Sequence, residues 1–316
     1  MHSQFKRILV TGATGFLGHH VVPALRASFK TKIIGVGRKD YDLLVGGQAE
    51  AMLMAIKPDA VVHLAARVGG IIANKKYPAD FFYQNVTINT ALFQAAYKAG
   101  IKKLLALMGG CSYPAGASSP IGEDQMWNGY PQPESAGYSV AKKNILVQSA
   151  AYRQQYDFNT IVLIPGNVYG EWDNFNLESA HVIPALIRKY VEAAEQGLPA
   201  VTAFGTGRPT RDFVYAGDVA ATIPWFLANY NVSAPINIST GTRITIQELA
   251  ETVKAVTGFP GRIVWDQSQP DGQMDKIFDT TRLHTLGLRC PTPLDQGLAL
   301  TVKWFIKARR DGTIRL

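Results

Sequence analysis

Three glycines, Gly12, Gly15 and Gly18, stand between the apolar run Ile8-Leu9-Val10 and a segment with helical periodicity from about Phe16. A strand that turns straight into a helix through such a loop has few homes other than a layered α/β fold. The glycines permit a tight turn, let backbone N–H groups approach a pyrophosphate, and allow the helix to pack closely on the strand. The helix N-terminus adds a partial positive charge, which favours an anion there. The spacing is G-x-x-G-x-x-G rather than G-x-G-x-x-G, and it arrays Ala13, Thr14, Phe16 and Leu17 around the same turn.

Apolar bursts recur at 32–36, 60–64, 104–107 and 161–164, separated by helical patterns that include 81–98 and the segment bearing Tyr138. This alternation predicts an α/β fold, a Rossmann-type doubly wound parallel sheet covered on both faces. Past Pro165 the pattern breaks into short pieces rich in Gly, Pro and Asn, which predicts a smaller C-terminal α/β substrate lobe over the carboxyl ends of the strands. We expect residues 1–165 with about 213–238 to form the dinucleotide-binding domain, and 166–212 with 239–316 to form the lobe. A length of 316 residues with 47% hydrophobic content is enough for both.

Tyr138 and Lys142 lie four residues apart in Gly-Tyr-Ser-Val-Ala-Lys, on one face of the expected helix. Downstream of a nucleotide turn, this spacing describes an acid-base pair beside a nicotinamide, with the ammonium lowering the phenol pKa. About 20 residues past the glycines, where NAD sites place an acid for the ribose, the second strand ends in Gly35-Val-Gly-Arg-Lys39. Arg38 there suits the 2′-phosphate of NADP(H), while the nearby Asp40 keeps NAD(H) open. Leu64, Ala65 and Ala66, within the segment His63-Leu-Ala-Ala-Arg67 at another strand end, are expected to pass close to the cofactor. The net charge of +8 fits an anionic ligand, but the basic residues are dispersed, which argues against nucleic acid. The two cysteines, Cys111 and Cys290, are too few for a disulfide framework or a thiolate metal site. No window reaches membrane-span length and the first apolar run is too short for a signal peptide, so the expectation is a cytoplasmic enzyme with no bound metal.

Five further segments are specific when taken together: Arg67-Val-Gly-Gly-Ile-Ile-Ala-Asn74; Tyr77-Pro-Ala-Asp-Phe with Gln84-Asn85; Cys111-Ser-Tyr-Pro114; Pro165-Gly-Asn-Val-Tyr-Gly170 with Asp173-Asn-Phe; and His181-Val-Ile-Pro-Ala-Leu186. With them the chain resembles the extended short-chain dehydrogenase/reductase family of nucleotide-sugar enzymes, in the NAD-dependent epimerase/dehydratase group. Within it, the likeness is to the branch that epimerises C3 and C5 and reduces C4 of GDP-4-keto-6-deoxymannose. The resemblance implies Cys111 and His181 as base and acid for inversion, Tyr138 as proton donor to C4, and Lys142 as the residue holding the tyrosine and the nicotinamide ribose. A 4-ketone acidifies the hydrogens at C3 and C5, and inversion needs a base on one face of the ring and an acid on the other. The resemblance also places Pro165, Asn167, Val168 and His181 near the cofactor. Asn167, Arg188 or Lys189, Arg211 and Arg282 are expected toward the nucleotide-diphosphate sugar. By the same analogy, the helices near 81–98 and 139–155 imply a homodimer.

One departure stands out. The family carries a serine or threonine four residues before the tyrosine of the strand-end segment, and here Gly109 occupies that place before Tyr113. Loss of one such donor costs about 10²- to 10³-fold in rate. Ser112 lies three residues along an extended chain and therefore points to the other face. Three explanations stay open: water or a substrate hydroxyl substitutes, the enzyme epimerises with little reduction, or the sugar differs at C4. The alternatives carried forward are an epimerase-only or reductase-only enzyme on another nucleotide sugar, and a non-catalytic NADP-binding regulatory or scaffold protein.

Overall fold

The structure, a computed structural model, describes residues 5–268 and 271–314, so residues 1–4 at the start read for a signal peptide lie outside it. The chain begins with β1 (Arg7–Thr11), α1 (Phe16–Ser28), β2 (Lys32–Val36), α2 (Gln48–Ile56), β3 (Ala60–His63), α3 (Ile71–Lys76) and α4 (Pro78–Lys98). It continues with β4 (Lys103–Leu107), α5 (Ala136–Tyr156), β5 (Thr160–Pro165), β6 (Asn167–Tyr169), α6 (Val182–Glu195), β7 (Ala200–Phe204), β8 (Thr210–Arg211) and β9 (Phe213–Tyr215). The remainder is α7 (Ala216–Asn229), β10 (Ile236–Ile238), β11 (Ile244–Thr245), α8 (Ile246–Thr257), β12 (Arg262–Asp266), β13 (Asp275–Lys276), α9 (Thr281–Thr285) and α10 (Leu294–Arg310).

Six strands form one sheet in the order β10-β5-β4-β3-β1-β2, and every neighbouring pair is parallel. Side chains alternate across a strand, so the apolar runs of β1 and β3 feed both faces at once. Ile8, Val10 and Val62 meet Val21 and Leu25 of α1 and Ile223 and Phe226 of α7 on one face. Leu9 and Val61 meet Met52 of α2, Leu92 and Phe93 of α4 and Ile145 of α5 on the other. The strand order reverses between β1 and β3, which opens a crevice at their carboxyl ends.

Past β5 the chain leaves the sheet, pairs β6 with β9 in parallel, and returns through α7 to add β10 at the edge beside β5. A separate core, with Ile187 and Tyr190 of α6, Leu249 and Val253 of α8 and Phe305 of α10, holds together the elements that sit over the crevice. Helix α8 carries its own punctuation. Thr245 and Glu248 form a reciprocal capping box at its start, and Gly258 ends it in the left-handed conformation with φ +70°.

Candidate active site

The carboxyl ends of the strands and the elements above them enclose a cleft of about 1640 Å³, larger than a single small ligand needs and large enough for a dinucleotide with a second molecule. At its floor the turn after β1 requires glycine for two different reasons. Gly12 has φ +70°, and a Cβ there would fall 2.7 Å from the backbone nitrogen of Ala65. At Gly18 a Cβ would fall 2.4 Å from the carbonyl oxygen of Ala13, so α1 could no longer sit against the turn. Gly12, Thr14, Gly15, Phe16, Leu17 and Gly18 all line the cleft, as do Leu64, Ala65 and Ala66.

Ala13 does not join them. Its N–H donates to the Val36 carbonyl at 3.0 Å and its side chain packs into the sheet core, so it fixes the turn to β2 instead of facing a ligand. Arg38 is at the cleft rim beside β2, exposed and paired with Asp42 at 3.0 Å. Asp40 accepts the Gly37 N–H at 2.8 Å, so its carboxylate is engaged by the turn that carries Arg38.

Helix α5 presents Tyr138 and, one turn on, Lys142 to the same cleft. Lys142 is buried, and loss of hydration pushes its ammonium down to about 8, with a negative charge on Cys111 pulling the other way. The expected lowering of the phenol is not what the geometry produces. Burial raises the Tyr138 phenol above its ordinary value, and the charge of Cys111 raises it further. The Tyr138 phenol therefore stays protonated at neutral pH.

Cys111 lines the cleft on the turn that follows β4. Before it, Gly109 has an extended backbone, φ −132° and ψ 140°, which any residue adopts. A Cβ at Gly109 would lie 3.3 Å from the Cys111 Sγ and 3.5 Å from the Tyr138 hydroxyl, so the thiol and the phenol flank this position. Ser112 is fully buried and donates to the Ser139 carbonyl at 3.0 Å, directed into α5. His181 is the N-cap of α6, with its ring exposed to the cleft. Partial loss of hydration among the surrounding cleft atoms holds its imidazole below the usual histidine value.

The elements past Pro165 supply the remaining polar wall. Pro165, Asn167 and Val168 line the cleft, and the Asn167 amide is steadied by donating to the Asp212 carbonyl at 2.8 Å. Lys189 and Arg211 also line it, both held below their usual basicity by burial. The Arg211 guanidinium donates to the carbonyls of Thr210 at 2.8 Å and Gln273 at 2.6 Å, which fixes its aim.

Two expected cations lie elsewhere. Arg188 turns away from the cleft to pair with Glu192 at 2.9 Å and to donate to the Phe175 carbonyl at 3.1 Å, because successive residues of α6 point about 100° apart. Arg282, on α9, pairs with the buried Glu123 at 3.4 Å and has no place in the cleft lining.

A family model described as the NAD dependent epimerase/dehydratase family matches residues 8–239. The chain belongs to that family. A GDP-L-fucose synthase of Sinorhizobium fredii is 40% identical to this epimerase/dehydratase family member over 306 residues, covering 97% of both chains. The GDP-L-fucose synthase of Escherichia coli is 35% identical over 311 residues, covering 96% of this chain and 97% of its own. Among solved structures, a GDP-L-fucose synthetase from Naegleria fowleri bound to NADP has a TM-score of 0.92 at 31% identity, covering 99% of this chain and 96% of that one. A GDP-6-OMe-4-keto-L-xylo-heptose reductase from Campylobacter jejuni has a TM-score of 0.89 at 25% identity, covering 96% and 98%.

Four cleft residues of this family member escaped the sequence reading. Trp172, at φ +68°, stacks on His19 of α1 with ring centroids 3.9 Å apart. Phe204 lies beneath the Lys189 ammonium at 4.6 Å, Asp271 accepts from the Thr206 N–H and hydroxyl, and Lys276 enters from β13. The glycines flanking Thr206 signalled a turn, but nothing local told which later segment folds back onto it.

Proposed function

We propose that this chain is an NADP(H)-dependent enzyme acting on a GDP-4-keto-6-deoxyhexose, inverting C3 and C5 and reducing C4, in the manner of the GDP-L-fucose synthases it is similar to. The observation that carries the reading is the convergence of Cys111, Tyr138, Lys142 and His181 on the cleft that also contains the glycine turn. Cys111 as thiolate removes a proton next to the ketone, and His181 returns one from the other face of the ring. Bound NADPH would supply the hydride for C4; Tyr138 would protonate the C4 oxygen, with Lys142 charged beside it. Arg38 at the rim and the engagement of Asp40 by Gly37 support NADP(H) over NAD(H). Lys189 and Arg211 suit the diphosphate, Arg211 through its planar fork.

Incubation with GDP-4-keto-6-deoxymannose in heavy water, with and without NADPH, tests this directly. We expect deuterium at C3 and C5 without NADPH, and a C4 alcohol with it. Failure to exchange either position or to oxidise NADPH with any keto sugar rejects the enzyme in favour of a cofactor-binding scaffold. Gly109 favours a second reading, in which exchange proceeds and reduction is slow, and the same experiment separates the two.

We place the protein in the cytoplasm, and no described helix is long and apolar enough to cross a membrane. Helices α4 and α5 leave Phe82, Tyr83, Val147 and Tyr156 exposed, an apolar outer face that supports a homodimer formed through these helices. Light scattering on the eluted protein is expected to give twice the chain mass, and a monomer at micromolar concentration rejects the dimer.

A further inference from the structure

We propose that Lys276 is a positioning residue for Cys111: its ammonium, brought in from the lobe on β13, favours the thiolate that acts as base, an inference that rests on the function proposed above. Lys276 lines the cleft, and its Nζ lies 6.0 Å from the centre of the Phe278 ring. The edge of that ring also abuts the residue preceding Cys111, since a Cβ on Gly110 would fall 2.4 Å from the Phe278 Cζ. The same aromatic ring thus lies beside both the ammonium and the strand-end turn that carries the thiol.

The neighbouring strand brings the other lobe cation alongside this one. Lys276 is in register with Arg211 across the parallel β13–β8 pair, so both point to the same side. Arg211 is held by two backbone carbonyls, whereas Lys276 has no hydrogen bond or ion pair to a protein oxygen among the described residues. An ammonium so deep in a cleft needs a counter-charge. Burial pushes it down to about 8 and Arg211 pushes the same way, while a charge on Cys111 pulls it up. The groups around the thiol are Tyr138 and Lys142 from α5 and Lys276 from β13, with Arg211 on β8 behind it and His181 at the start of α6 in the same cleft. In the proposed reaction Lys142 serves the tyrosine and the cofactor ribose, which leaves Lys276 free to serve the thiolate.

The test is the pH dependence of Cys111 alkylation by iodoacetamide in substrate-free enzyme, read by peptide mass spectrometry. Cys290 is buried and its thiol is pushed up to about 12, so it does not compete. In Lys276→Met and Lys276→Gln the midpoint should rise by about one unit or more, the size of shift an adjacent opposite charge produces. Lys276→Arg should restore most of it. Exchange at C3 and C5 should move alkaline by the same amount. An unchanged midpoint in whichever neutral variant retains the parental melting temperature overturns the proposal, and a raised KM for the sugar nucleotide alongside it makes Lys276 a phosphate ligand. Alkylation needs no substrate, so its outcome does not depend on the sugar being correctly identified.

Discussion

Tyr138→Phe is expected to slow C4 reduction by about 10²- to 10⁴-fold, the range for loss of a positioned proton donor, while exchange at C3 and C5 changes by a few-fold at most. The separation follows from the geometry. The phenol is buried and pushed up in pKa, which suits the proposed role of giving a proton to the C4 oxygen, whereas inversion is proposed for the thiol and imidazole. NADPH absorbance reads the first quantity and NMR the second. Equal loss of both activities would mean that Tyr138 shapes the site and does not donate. The sign of the pH dependence is fixed by Lys142: lowered to about 8, it carries its charge below that pH and loses it above, so reduction by the parent enzyme should decline as pH rises through that value.

Gly109→Ser should raise the rate of C4 reduction by about ten- to a hundredfold, a partial recovery of what one oxyanion donor is worth. The backbone at Gly109 accepts a side chain without strain. A Cβ there is 3.5 Å from the Tyr138 hydroxyl, so a serine Oγ can reach the phenol and the sugar oxygen beside it. The contact of 3.3 Å with the Cys111 Sγ is tight, but rotation of a small thiol side chain relieves it. Stopped-flow oxidation of NADPH at saturating substrate is the appropriate measurement. A variant that binds both ligands and reduces no faster would show that the native enzyme already supplies that donor by another route, or that its sugar presents a different geometry at C4.

Much of this arrangement could be read in the chain because the relevant constraints are local. The βα turn at Gly12, Gly15 and Gly18 and the four-residue offset of Tyr138 and Lys142 are dictated by neighbours within a few residues. The strand boundaries were nearly right for the same reason: a strand buried on both faces is apolar along its whole length. What failed was direction. Arg188 and Lys189 are adjacent cations on α6, and only the packing of that helix on α8 decides that the second faces the cleft. Arg282 was lost to a buried acid, Glu123, far away in sequence. Lys276 and Asp271 reach the cleft through short strand pairs and loop contacts that no periodic pattern announces. The acidity of Tyr138 was misjudged because spacing on a helix gives proximity to Lys142 but says nothing of how dry the site is.

The chain crosses from the sheet to the overlying elements at Pro165, Gly166 and Asn167, where the backbone of Gly166 is pressed so closely that a Cβ would strike the Ser239 hydroxyl. The groups assigned to inversion stand on opposite banks of that crossing, Cys111 below and His181 above. On the proposed roles, how far apart the two sides of this crossing rest would select how thick a sugar ring can be gripped from both faces. Alterations at this seam, remote from any reacting atom, should retune which hexoses the enzyme accepts.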